Sequence, residues 1–511
     1  MRRIAPLLVL SLPLVAMAAC ARHAPGAADH AAQSPTTGNN GGGPSLNAAI
    51  PGGPEAPASL EAPTKWPELA VKTDGAYVYS KSRYVYIYAD PSNHGKWIGY
   101  LYVGDAVKLK SNEAVAGKKG SGCSGSWYSV EPKGYVCVDG QHATIDAKDP
   151  VYSEVLKHAP DLTSPWPYIY GESKGETRLK QLDGVEQPAW PDGLQDMKQA
   201  MLPPRSTVAW TQDVQTRAGL PYLWLSDLTF LHKDSVKPYP RIEFHGIHLG
   251  GDIQLPLAFF RRVPRPKLKR DGDNFTETGE SWARLSWVKL TGKSEKNAKA
   301  TYWETSENGL WFEEHDAGIV KPLHDSTPWK APIKLVSSGT IKKGAADRRT
   351  WVEVAALHGW MIAYEDDEPV FATMISGGKL GASTPRATEP HQPPATTPIG
   401  HFKIDAKFVT TTLKAELNDG TDFIHSEVPW SQHFYSKFLL HTAYWHDNWG
   451  EGRSGGCVNM SPIDAKWLFD WTQPELPAGW HAYKTWAGNH PSGKGPGKGD
   501  DEVATVVLVH L

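Results

Sequence analysis

Cysteine is scarce in this 511-residue chain, with four in all, and neither sign of charge dominates, since 53 Lys and Arg face 56 Asp and Glu. A net charge of −3 sets up no basic field, which excludes a chain built to hold nucleic acid. Apart from the first residues there is no apolar run of 18, so no further transmembrane helix is expected. What is plentiful is turn chemistry: Gly 48 and Pro 41 make up about 17% of the chain, against an average near 12%. That balance excludes an all-α bundle and favours short strands and linkers.

The first twenty residues read as an export signal. Arg2 and Arg3 precede the apolar stretch Ile4 to Val15, and small residues then lead to Cys20. A cysteine at that point is the pattern of a bacterial lipoprotein signal, so lipidation at Cys20 is expected, with an ordinary cleaved signal as the bland alternative. Residues 21–66 are mostly Ala, Pro, Gly, Ser and Thr and bury almost nothing, which describes a flexible tether with a reach of roughly 35–40 Å. The expected location is therefore exported and lipid-anchored in the cell envelope, in the periplasm and at the outer membrane.

From about 69 to 145 aromatic and β-branched residues alternate, as in Tyr84-Val85-Tyr86-Ile87-Tyr88 and Trp127-Tyr128-Ser129-Val130. Short strands between turn residues predict a small β-barrel. The order of a Gly104-Asp105 turn and a Trp-Tyr then Gly-Tyr-Val hairpin resembles bacterial SH3-like domains. Cys123 and Cys137 lie 14 apart in this stretch, and a bridge there would contribute roughly 3 kcal/mol in an oxidising compartment. Residues 150–336 are harder to read; a second β unit, again SH3-like, is expected near 279–322. Six basic residues fall between Arg261 and Arg270 (Arg261, Arg262, Arg265, Lys267, Lys269, Arg270), a solvated loop or a contact for anionic wall polymer.

The chemistry is concentrated after residue 350, where strand-like alternation resumes. Phe438 to Leu440 is an apolar run that delivers His441 at its end, and sixteen residues later Gly455 and Gly456 precede Cys457. Ser461-Pro462 then opens a short helical pattern. A cysteine exposed on a Gly-rich turn ahead of a helix is a candidate nucleophile, partly thiolate beside an imidazole. His441 is the candidate base, and the amides of Gly455, Gly456 and Cys457 are candidate oxyanion donors. With Cys20 lipidated and Cys123 bridged to Cys137, Cys457 remains for this role. The competing reading is a buried thiol beside a Gly-rich turn.

Thr397-Pro398-x-Gly400-x-Phe402, His441 on a strand, and Ser454-x-Gly456-Cys457-x-Asn459 occur in that order, and together they resemble the catalytic domain of L,D-transpeptidases of the YkuD type. The resemblance covers roughly residues 350–511. It implies a mainly β chain, with small SH3-like barrels followed by a β-sandwich catalytic domain that has a short helix after the catalytic turn. It further implies Cys457 as nucleophile, His441 as base, Thr442 as the residue whose carbonyl holds the imidazole, and Ser454, Gly456 and Asn459 as the signature around the turn. No metal or other cofactor is implied. The substrates implied are peptidoglycan stem peptides, joined in 3→3 cross-links, with the membrane reached through the lipid and a monomer expected.

Gly455 departs from this pattern, because the family usually has histidine there. His446 is a candidate to fill the vacancy, and Tyr444, Trp445, Trp449 and Trp430 are candidates to line a substrate groove. The absent histidine keeps a second reading open, in which a wall-binding lipoprotein carries a non-catalytic scaffold of the same fold. A metal site at His441, His446 and Cys457 lacks the spacing that zinc ligands show.

Overall fold

The computed structural model describes residues 66–180, 182, 201–216, 218–322, 333–334, 340–341, 349–384, 395–416, 422–485 and 504–511. The expected signal and tether, with Cys20, fall on residues 1–65, outside the described residues. The fold is mainly β; among the described residues there are two α-helices, Pro150–Val155 and Pro462–Trp471. No helix of the described residues is long and apolar enough to cross a membrane.

The C-terminal part is a sandwich of two sheets. One is six-stranded, with Thr350–Ala355 at its centre, antiparallel to Trp360–Glu365 and parallel to the last strand, Val506–His510. The other is nine-stranded and begins at its edge with Val458–Met460, Phe438–Thr442, Asp422–Tyr435 and Ala406–Glu416. Val352, Met361 and Phe371 of the first sheet meet Val409, Val428 and Leu440 of the second, with Leu468 and Phe469 of the helix Pro462–Trp471 between them. Burying the apolar face of each layer against the other supplies the drive to fold. The helix is capped at both ends. Ser461 Oγ accepts from the Asp464 amide at 3.1 Å, and the buried Lys407 donates to the carbonyls of Phe469 and Thr472 at 2.6 Å each.

The nine-stranded sheet does not stop at the sandwich. Ala482–Lys484 pairs with Trp97–Leu101, and the ladder continues through Val85–Tyr88 and Tyr135–Val138 to Ser126–Ser129, so the N-terminal β module shares the sheet. Gly99 permits this, since a Cβ there would stand 2.3 Å from the Ala482 carbonyl oxygen. The remaining strands of the module, Tyr77–Ser80, Ala106–Lys108 and Ala143–Thr144, form a three-stranded sheet. Cys123 and Cys137 are bridged, with Cα atoms 5.6 Å apart. The buried Glu427 seals the junction, accepting from Tyr102 Oη at 2.9 Å and Thr410 Oγ1 at 2.6 Å.

The middle region holds more structure than its sequence announces. A five-stranded sheet is built from Ile169–Ser173, Thr207–Gln215, Pro221–Leu225, Phe230–His232 and Val236–Pro238. The following β unit starts at Leu257, well before 279, and its seven-stranded sheet runs to Val320. Strands such as Asn274–Trp282 are largely exposed and polar, so they lack the alternation that marks a strand in sequence.

Candidate active site

The strand Phe438–Thr442 and the strand Val458–Met460 lie parallel, with Leu440 opposite Val458 and His441 opposite Asn459. A strand alternates its faces every residue, so Leu439 and His441 share a face, and the register puts Cys457 and Asn459 on the corresponding face of the neighbour. The candidate base and candidate nucleophile thus share a sheet face one pleat apart, from segments sixteen residues distant.

His441 is buried, and its Nδ1 lies 2.7 Å from the Thr442 carbonyl oxygen. A carbonyl only accepts, so Nδ1 carries the proton and Nε2 keeps its lone pair. Nε2 is buried without a hydrogen-bond partner among the described residues. Burial pushes the imidazole down to about 4, with the Thr442 carbonyl offsetting part of the shift. At neutral pH His441 is therefore a neutral imidazole with a vacant acceptor, the form a general base needs.

Cys457 is not exposed as its turn suggests but wholly buried in the sandwich core. Its Sγ lies 3.3 Å from the Leu439 amide and 4.0 Å from the Lys437 carbonyl oxygen. Nor does it stand alone, because Cys457 is disulfide-bonded and no cysteine of the described residues is free. Acyl transfer calls for this sulfur in its reduced state. The helix begins where Ser461-Pro462 places it, but the strand Val458–Met460, about 10 Å long, separates Cys457 from the cap at Ser461, beyond the first-turn reach of the helix dipole.

The turn itself is held by Ser454. Its Oγ donates to the Cys457 carbonyl at 2.5 Å and accepts from the Gly456 amide at 2.9 Å. The Gly456 amide is committed to that bond, which leaves the amides of Gly455 and Cys457 as the candidate oxyanion donors. Gly456 has φ +125°, and a Cβ on it would stand 2.4 Å from the Thr396 carbonyl oxygen, so only glycine fits. Gly455 is half-buried beside it. The backbone of Asn459 exchanges two hydrogen bonds of 2.9 Å with Ser376, and its carboxamide nitrogen lies 3.1 Å from His446 Nε2. His446 is thus brought to the edge of the site, against Asn459 rather than free in a loop.

The aromatic candidates divide. Trp445 is half-buried, stacked on His425 at 3.8 Å, with its ring 6.0 Å from that of His441. Tyr444 and Trp430 do not line a groove: both are core. The hydroxyl of Tyr444 pairs with Thr207 Oγ1 at 2.6 Å and donates to the Ser426 carbonyl at 2.6 Å, and Trp430 Nε1 donates to the Pro165 carbonyl at 2.9 Å. Trp449 is likewise fully buried. Tyr444 and Trp430 thereby seal the C-terminal sandwich to the chain around Thr207 and Pro165. No group of three or more His, Cys, Asp or Glu side chains among the described residues is placed to hold a metal.

One pair has no counterpart in the sequence reading. His433 Nδ1 lies 2.5 Å from Asp405 Oδ1, and Nε2 lies 2.7 Å from the Ser436 carbonyl, in the turn that presents Lys437 and Leu439 to the sulfur. Burial opposes charge on this imidazole, yet Asp405 and the Ser436 carbonyl outweigh it and raise the pKa. The two partners are 28 residues apart, and no local spacing links them.

Among solved structures, the catalytic domain of an Enterococcus faecium L,D-transpeptidase is 24% identical over 32% of this chain and 96% of its own, with a TM-score of 0.20. A cysteine-to-serine mutant of the Enterococcus faecium L,D-transpeptidase is 23% identical over 34% of this chain and 56% of its own, at 0.21. An L,D-transpeptidase from Mycobacterium smegmatis is 13% identical over 44% and 99%, also at 0.21. The chain therefore spans just over half the length of the enterococcal mutant structure. No curated relative matches the chain. The family that residues 335–504 do match, about a third of the chain, is the L,D-transpeptidase catalytic domain, YkuD.

Proposed function

We propose that the chain is a cysteine L,D-transpeptidase acting on peptidoglycan stem peptides. In the first half-reaction Sγ of reduced Cys457 attacks the carbonyl carbon of the donor's third residue while His441 Nε2 takes the thiol proton. The amides of Gly455 and Cys457 face the developing oxyanion. The bond to the terminal D-alanine breaks, its nitrogen receives the proton from His441, and a thioester remains. An amine of a neighbouring stem then attacks the thioester, and His441 passes the amine's proton to the departing sulfur, which restores the Cys457 thiol and leaves a 3→3 cross-link. The observation that carries this reading is the buried His441 Nε2, a vacant proton acceptor on the same sheet face as Cys457.

The test is product analysis by mass spectrometry of stem tetrapeptides incubated with reduced protein. Cross-linked product and free D-alanine are expected from the wild type and neither from Cys457→Ala; a folded Cys457→Ala variant that still cross-links sinks the mechanism. The burial and disulfide of Cys457, together with Gly455, favour the alternative of a wall-binding scaffold. A carbapenem adduct on reduced Cys457, seen by intact mass, decides between them. The reading also includes export and lipid attachment at Cys20, and a thioether there takes that sulfur out of any bridge. Cys20→Ser should then move the protein out of the membrane fraction without altering its chemistry.

A further inference from the structure

The loop joining His441 to the catalytic turn, residues 443–456, is held from outside the catalytic domain. Arg284 sits in the turn between the strands Asn274–Trp282 and Trp287–Lys296 of the middle module. It donates through Nη1 to Asp447 Oδ2 at 2.7 Å and through Nη2 to the Asp447 carbonyl. Arg261, just past the strand Leu257–Phe260, donates through Nη1 to the Gly450 carbonyl and through Nη2 to the Ala317 carbonyl of its own module, both at 3.2 Å. The basic run from Arg261 to Arg270 is thus largely committed within the protein, with Arg265 on Asp316 and Arg270 on Glu295, and it offers little to an anionic polymer.

The same loop is fastened on its inner side. Ser376 Oγ donates to the Asn448 carbonyl at 2.7 Å, and the Gly450 amide donates to the Ile375 carbonyl at 2.9 Å. Immediately before these fastenings, next to Asp447, lies His446, which faces Asn459 two positions from Cys457. A shift of Asp447 and Gly450 therefore moves both the histidine at the edge of the site and the chain that leads into Ser454–Cys457. The fork of a guanidinium fixes two acceptors at once, which a lysine ammonium does not.

The geometry points to Arg284 and Arg261 as positioning residues for the acyl-transfer site, so that the middle β module is part of the working enzyme. This rests on the transpeptidase reading. The Arg284–Asp447 pair is partly exposed, at 35% and 42%, so its loss has little effect on global stability and acts on the loop. A misplacement of about 1 Å at a reacting centre lowers rates by roughly 100-fold.

The experiment uses the reduced full-length protein and follows carbapenem acylation of Cys457 by intact mass, with hydrogen–deuterium exchange of residues 443–456 alongside. Arg284→Gln and Arg261→Gln are expected to lower the limiting acylation rate by roughly 10- to 100-fold with little change in the drug concentration for half-saturation. Exchange should rise in 443–456 and stay unchanged in 77–144. Arg284→Lys should restore only part of the rate, and Lys269→Ala, at an exposed position of the strand Arg265–Asp271, should show none of the effect. Wild-type acylation and wild-type loop exchange in Arg284→Gln overturn the proposal. If that variant does not fold, Asp447→Asn breaks the same contact and is judged by the same readouts. If the wild type forms no adduct at all, the transpeptidase reading has failed, and loop exchange alone decides whether the arginines position the loop.

Discussion

Two ends of one hairpin carry buried histidines in opposite states. At His441, where the strand Phe438–Thr442 ends, burial meets only a carbonyl, and the imidazole is neutral with an open Nε2. At His433, across the turn on the strand Asp422–Tyr435, burial meets a carboxylate and a carbonyl together, and the imidazole holds its proton. Burial by itself does not decide charge; the partner at the second nitrogen does. One histidine is left able to take a proton, and the other pins the turn that shapes the sulfur's surroundings.

The largest effect should come from removing the open end. His441→Ala is expected to slow acylation of reduced Cys457 by roughly 100- to 10,000-fold, the usual consequence of a lost general base, measured as the single-turnover rate. A smaller loss would mean that another group takes the proton.

Asp405→Asn tests the closed end. It strips the buried imidazolium of its counter-charge and should destabilise the protein by about 3 kcal/mol, read as the urea midpoint at constant m. An unchanged midpoint would mean that His433 is neutral.

Stability against pH should show the two states as limbs of opposite sign. His441 is held below its ordinary value, so its contribution is complete above about 6.5 and is lost as pH falls towards about 4, on the order of 3 kcal/mol in total. His433 is raised, so its contribution is complete below about 6.5 and is lost as pH rises through its folded value. In melting temperature followed from pH 4 to 9, His441→Ala should flatten the acid limb and His433→Gln the alkaline one. Both variants flattening the same limb would break the comparison.

The smallest effect is expected at Gly455. Gly455→His should leave the acylation rate unchanged or raise it, since His441 already supplies the base. Adduct formation only in Gly455→His would mean that the natural protein is a scaffold.

Much of the site was legible because its residues sit in short motifs whose order along the chain carries the meaning: His441 at the end of an apolar strand, and Ser454, Gly456, Cys457 and Asn459 around one turn. The surroundings were not. Tyr444 and Trp430 look like groove aromatics beside those motifs, but an aromatic reads the same whether it faces a ligand or Thr207 and Pro165. The middle module begins earlier than its apolar hairpin suggests, because Leu257–Phe260 is joined to it by long-range pairing with Ala317–Val320, and exposed strands such as Asn274–Trp282 carry no hydrophobic period.

Sequence alone determined the β character of the chain and the candidate nucleophile and base, which sit in short local motifs; the requirement for glycine at 456 came from the fold, through its positive φ and the Thr396 carbonyl beside it. Tertiary structure alone decided that Cys457 is buried, that His433 and Asp405 meet across 28 residues, and that Arg261 and Arg284 reach the catalytic loop from another module. Those states depend on which groups exclude water from one another or pair inside the fold, and that depends on distant strands coming into register.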